Sequence, residues 1–163
     1  MMRGKALREH PGRASARSRS RLLASAPLVT MMLVACIGPA RTGSAYRSKA
    51  VDTADEVVSA SRTVLLAAQL SDRGRSFAPT VSVTVADAET GAETARDAFS
   101  SIQPPDAESD HLRASLLPTI QHACDVIADV RIAARRADSD LSQIAAPLEP
   151  LADELDAFST RYG

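Results

Sequence analysis

From Leu116 to Tyr162, Leu116, Ile120, Ala123, Ile127, Val130, Ala134 and Ala137, then Leu141, Ile144, Leu148, Leu151, Leu155, Phe158 and Tyr162, advance in steps of four and three. That spacing lines up as one stripe on a helix of 3.6 residues per turn and scatters over both faces of a strand. The same stepping links Val81, Val85, Ala88, Ala92, Ala95, Phe99 and Ile102. From Tyr46 to Gln69, Ala50, Val51, Ala54, Val57, Val58, Ser61, Val64, Leu65 and Ala68 form a broader stripe with Asp52, Asp55, Glu56 and Arg62 between them. Only Val81-Ser-Val-Thr-Val85 alternates in the period of a strand, and the longer helical series absorbs it, since no second strand is available to pair with.

Breaks divide the stripes into four. Ser71-Asp-Arg-Gly-Arg-Ser76 is polar and contains a glycine, and Gln103-Pro-Pro-Asp106 stops the second segment and supplies Asp106 as a cap for the third. An unbroken helix from 106 to 162 conflicts with Pro147 and Pro150, each of which removes a backbone donor. A turn near Ala137 to Ser139 is therefore expected, with Asp138 and Asp140 as capping residues, a fourth helix kinked at the prolines, and a bend at Pro118. Aromatic residues make up 3% of the chain and Trp is absent, so the core must be assembled from Ala, Val, Leu and Ile at close helix spacing. The expected fold is all-α, an up-and-down four-helix bundle, with a three-helix bundle bearing a long final hairpin as the alternative.

Charge separates the N-terminal segment from the rest. Residues 1–35 hold seven basic residues against one acidic, whereas residues 36–163 hold twelve basic against nineteen acidic, a net of −7. That balance is the opposite of a basic nucleic-acid-binding domain, and no nucleic-acid partner is expected. Arg3, Lys5, Arg8, Arg13, Arg17, Arg19 and Arg21 precede an apolar run from Leu22 to Ala35 that is interrupted by Ser25 and Pro27. Fourteen residues fall short of the roughly 20 that span a bilayer, so the pair reads as an export signal. Without adjacent arginines there, general secretion is favoured over the twin-arginine route.

The run ends in Leu33-Val34-Ala35-Cys36, which resembles the lipobox of bacterial lipoproteins. The resemblance implies cleavage between Ala35 and Cys36, diacylglyceryl attachment to the Cys36 sulfur, and residence on the extracytoplasmic face of the cell membrane. Two acyl chains anchor stably where one binds marginally, at about 0.8 kcal/mol per buried methylene. Ile37 to Ser44, with Gly38, Pro39 and Gly43, reads as a tether reaching about 28 Å when extended. The expected organisation is a signal peptide over 1–35, acylated Cys and tether over 36–44, and a helical bundle over 45–163. Beyond the lipobox, Tyr46-Arg-Ser-Lys-Ala50, Asp87-Ala-Glu89 and Phe99-Ser-Ser-Ile-Gln-Pro-Pro105 resemble small helical lipoproteins of high-GC Gram-positive bacteria. That group implies no activity and no catalytic residue.

The chemistry-bearing motifs are sparse. A Gly-rich phosphate loop, G-x-S-x-G, C-x-x-C and H-E-x-x-H are all missing, and neither enzymatic activity nor a cofactor is expected. His122, Asp125 and Asp129 share a helical face, with His111 three turns earlier, and compose a candidate divalent-metal set. In the heptad register they fall outside the Ile120, Ala123, Ile127 stripe, which favours a solvated face. Cys124 flanks that stripe and reads as a small buried hydrophobe, the sharper alternative being an intermolecular disulfide. Arg131, Arg135 and Arg136 cluster where cations oppose a helix dipole and are candidates for contact with an acidic partner or anionic lipid. Tyr46, Phe77, Phe99, Phe158 and Tyr162 fit helix seams or ends. The sequence thus leads to a lipid-anchored interaction or accessory module with an envelope protein partner, the alternative being a bundle that binds a small ligand or divalent metal.

Overall fold

A computed structural model describes residues 42–163; the expected signal segment, Cys36 and most of the expected tether lie outside the described residues. Among the described residues all regular structure is helical: α1 (Gly43–Asp72), α2 (Ala78–Ser101), α3 (Ala107–Arg136), α4 (Leu141–Ala145) and α5 (Leu148–Tyr162). Val81 to Val85 is helix, and α2 begins three residues before it, with Pro79 in the first turn where its missing N–H has no helical acceptor to lose.

The expected stripes are the buried ones. Val81, Val85, Ala92 and Phe99 of α2 are buried, with Ala88 and Ile102 packed against them, and Leu116, Ile120, Ala123, Ile127, Val130 and Ala134 of α3 face the same helical core. Leu141, Leu148, Leu151 and Leu155 complete it from α4 and α5. Helix α1 is the centre of the bundle, packing against each of the other four helices. Eleven of the 29 buried hydrophobic residues are Ala. Short side chains let helix axes approach, but each buries little apolar area, so the helix ends contribute a larger share of stability than in a Leu-rich core.

Those ends are made carefully. Thr42 accepts from the Ala45 amide at 3.2 Å and starts α1 two residues before the expected edge of the tether. Gly43 fits there because an added Cβ would stand 2.8 Å from the Asp106 carboxylate. Asp106 is the expected cap of α3, accepting from the Ser109 amide at 2.8 Å. Helix α1 closes with Gly74 at φ +63°; the Gly74 amide donates to the Ser71 carbonyl and the Arg75 amide to the Leu70 carbonyl, which satisfies carbonyls that the helix leaves open. Helix α3 ends the same way on Ala137 at φ +57°, with the Asp138 amide donating to Ala133 at 3.1 Å.

Two expectations change at the last turn. The fourth helix is two helices, because Pro150 has no amide for the Ala146 carbonyl and Glu149 donates to it instead at 3.2 Å. Asp138 and Asp140 do not cap α4; Asp140 sits in the left-handed region with no side-chain bond to the helix. The cap comes from Asp72 at the end of α1, whose carboxylate accepts from the Leu141 amide at 3.1 Å and the Ser142 amide at 2.9 Å. Desolvation pushes the Asp72 carboxyl up, but the Ser142 hydroxyl and the amides of Ser142 and Leu141 outweigh it and hold the group below the usual carboxylate range.

Asp72→Ala is expected to lower stability at pH 7 by about 1 kcal/mol, as for other lost caps. Because the folded pKa is depressed, the contribution is complete above the ordinary carboxylate value near 4 and disappears as pH falls through the lower folded value. Urea titrations from pH 7 to pH 2 check this: the loss should be largest at pH 7 and vanish at the acid end. At Ala137, exposed and left-handed, Ala137→Gly should raise the unfolding free energy by about 1 kcal/mol by removing the Cβ clash, read from the same titration at pH 7.

Candidate functional site

Cys36 and Ala35, the expected lipidation and cleavage positions, lie outside the described residues. The other candidates sit on α3. His122, Asp125 and Asp129 are all exposed, as is His111. Asp125 accepts from the Gln121 side-chain amide at 2.8 Å. Glu108 and His111 form a further i, i+3 acid and imidazole pair that sequence reasoning passed over, and Glu108 is held by Arg47 at 2.8 Å across the α1 to α3 seam. Among the described residues no three His, Cys, Asp or Glu side chains converge closely enough to hold a metal ion.

Cys124 is 3% exposed and faces the seam between α3 and α2. Burial pushes its thiol up to about 11, Arg96 opposes that, and Glu93, Asp125 and Asp97 reinforce it. A thiol in that setting is a packing group with little thiolate to offer as nucleophile or ligand.

The arginine cluster divides. Arg131 pairs with Glu89 of α2, and both side chains are largely shielded. Arg135 and Arg136, in the last turn of α3, are exposed and make no ion pair among the described residues. Arg113, which the stripe analysis did not single out, bonds the end of α2: its guanidinium donates to the Ile102 carbonyl at 3.1 Å and the Ser100 carbonyl at 2.6 Å. A cation on the negative end of that helix dipole satisfies acceptors that the helix leaves open. Its only sequence signal was a long basic residue about two turns into the helix that follows a Pro-Pro stop.

The aromatics separate as well. Tyr46 and Phe99 are buried with ring centroids 5.2 Å apart, and the Phe158 and Tyr162 rings meet at a tilt with centroids 4.7 Å apart. Phe77 stands at a helix end, as the N-terminal flank of α2, and is 83% exposed. Open surface grooves run along α1, one of them lined by Lys49, Asp52, Thr53, Thr90, Gly91 and Thr94. The void beside Tyr46, Asp106 and Ser109 holds about 10 Å³, room for no more than one water. Among the described residues no helix is long and apolar enough to cross a membrane. Compared with known protein families, curated proteins and solved structures, the chain matches none.

At pH 8 a thiol of pKa about 11 is ionised at on the order of one part in a thousand. Iodoacetamide is therefore expected to leave Cys124 unmodified in the folded protein and to alkylate it fully in 6 M guanidinium; intact-mass measurement distinguishes the two. Rapid labelling of the folded chain would place Cys124 in a far more open setting.

Proposed function

We propose that the chain is a lipid-anchored, extracytoplasmic protein whose up-and-down four-helix bundle serves as a non-catalytic interaction or accessory module at the cell membrane. The observation that carries the reading is Leu33-Val34-Ala35-Cys36, placed after a basic segment and an apolar run too short to span a bilayer. The folded domain begins six residues after that Cys, where Thr42 caps α1, so a lipid on Cys36 holds the bundle close to the bilayer with little free chain between. The bundle arrangement is supported by the positions of the connections. Gly43 lies beside Asp106 at one end of the molecule, and Asp72 bonds to the start of α4 at the other. A module whose core is short apolar side chains and whose exposed carboxylates are dispersed presents surface for partners rather than a shaped reaction centre.

The acyl chains supply membrane residence and the bundle supplies recognition. A soluble domain lacking the anchor is then expected to lose function through dilution alone, since tethering raises the effective concentration of a membrane partner.

Cells grown with labelled palmitate should incorporate it into the protein, and mass spectrometry should find a mature chain of 128 residues beginning at an acylated Cys36. Cys36→Ala should abolish both the label and the cleavage. Recovery of the wild-type chain with residues 1–35 intact, or cut elsewhere without lipid, overturns the reading.

A further inference from the structure

Among the described residues, the exposed large apolar residues and four of the five exposed arginines without an ion pair lie toward one end; the fifth, Arg161, is in the last turn of α5. Asp72 bonds to Leu141 and Ser142, and the Ser82 hydroxyl donates to the Ala134 carbonyl at 3.4 Å. The α1 to α2 turn and the α3 to α4 turn therefore occupy the same end of the bundle. Arg73, Arg75, Arg135 and Arg136 all lie there, all exposed and none in an ion pair among the described residues. The four exposed large hydrophobic residues among the described residues, Leu66, Phe77, Val83 and Ile132, each lie within two helical turns of this end. Phe77 is the most open of them and stands two residues from Arg75.

We propose that this end is a docking surface for an acidic segment of a partner protein, with Phe77 as the apolar anchor and the four arginines as the carboxylate contacts. Charge supports that occupant. Apart from these four arginines, residues 42–163 hold nineteen acidic residues against seven basic, so the rest of the described surface is net negative and this end is the place where cations gather. The nearby acids Asp72, Asp138 and Asp140 keep their charge, Asp72 while accepting from two amides and Asp140 while accepting from Ser139 at 3.2 Å, so the four arginines outnumber them and this end is positive. Four arginines and no lysine with an open Phe match the composition of interface anchors, since arginine offers a carboxylate two parallel donors. The preference for a protein over the bilayer rests on the lipid-anchored reading. Helix α1, of 30 residues, is about 45 Å long, while the seven residues from Cys36 to Gly43 reach about 25 Å. The anchored bilayer is thus out of reach of this end when the molecule stands upright, and laying it down brings acidic flanks against the lipid surface.

The test places benzoylphenylalanine at position 77 of the full-length protein in its own cells, with a control at exposed Glu108 near the opposite end, and sequences the photo-crosslinked peptides. The expected result is a crosslink from position 77, and none from 108, to a segment rich in Asp and Glu of an envelope protein. Its yield should fall about tenfold with Arg73→Gln and Arg75→Gln together, or with Arg135→Gln and Arg136→Gln together, both with unchanged circular dichroism. A crosslink to lipid, to a second copy of this chain or to a segment without acidic residues overturns the proposal, as does no crosslink or equal yield at both positions. The mass of Cys36 is read in the same sample. An acidic-segment crosslink from an unlipidated chain sinks the anchor and keeps the docking surface, whereas a lipidated chain without that crosslink does the reverse.

Discussion

Close approach of helices through small side chains is the constraint on which the rest of this structure depends. With one buried Tyr, one buried Phe and eleven buried Ala, the core gains little from each of its alanines and needs every stripe to be aligned. Alignment is fixed at the ends. Two glycines mark this, for Gly43 admits the Asp106 carboxylate against the first turn of α1, and Gly74 turns the chain at the other end. Between the ends, specific polar contacts across seams are few and mostly exposed: Arg47 to Glu108, Arg62 to Asp156 and Thr119 to Glu154 each join two helices at the surface. Exposed pairs of this kind contribute about 0–1 kcal/mol each, so packing and caps carry the fold.

The four-and-three stepping made the helices legible because periodicity reports which face of a segment is apolar. It also resolved Val81 to Val85, where the local alternation and the long series disagreed and the longer one matched the helix formed. Asp106 was legible for a related reason, since a cap acts three residues along its own chain. What the sequence withheld was the identity of partners. Asp72 caps a helix 69 residues away, Arg131 finds Glu89 on a neighbouring helix, and Arg113 reaches the carbonyls that close α2. Each is a contact between segments, and a stripe pattern is silent on which segment comes to lie alongside.

The candidate site divides along the same line. The burial of Cys124 was readable from its place beside the Ile120, Ala123, Ile127 stripe, and the outward positions of His122, Asp125 and Asp129 followed from the same register. Phe77 was not readable, because an aromatic at a helix start serves equally as a staple onto the core or as an open side chain. Only the packed structure shows that Val81 and Val85 fill the seam and leave Phe77 outside it.

The distribution of arginine has two physical sources that can be separated. Helices α1 and α3 both run toward the end that carries the 73–77 and 137–140 turns, so their carbonyl termini, negative by the helix dipole, point the same way. Arginine beside such termini stabilises each helix by about 0.3–1 kcal/mol at the surface, and that accounts for a cation near each. It does not account for Phe77, Leu66, Val83 and Ile132, whose exposure costs apolar hydration and relieves no dipole. A purely structural origin would leave the basic end polar. The coincidence of open apolar groups with arginines that make no ion pair among the described residues instead matches a surface completed by something outside the chain. The same helix directions that gather the cations set that surface at the end opposite the first residues of α1.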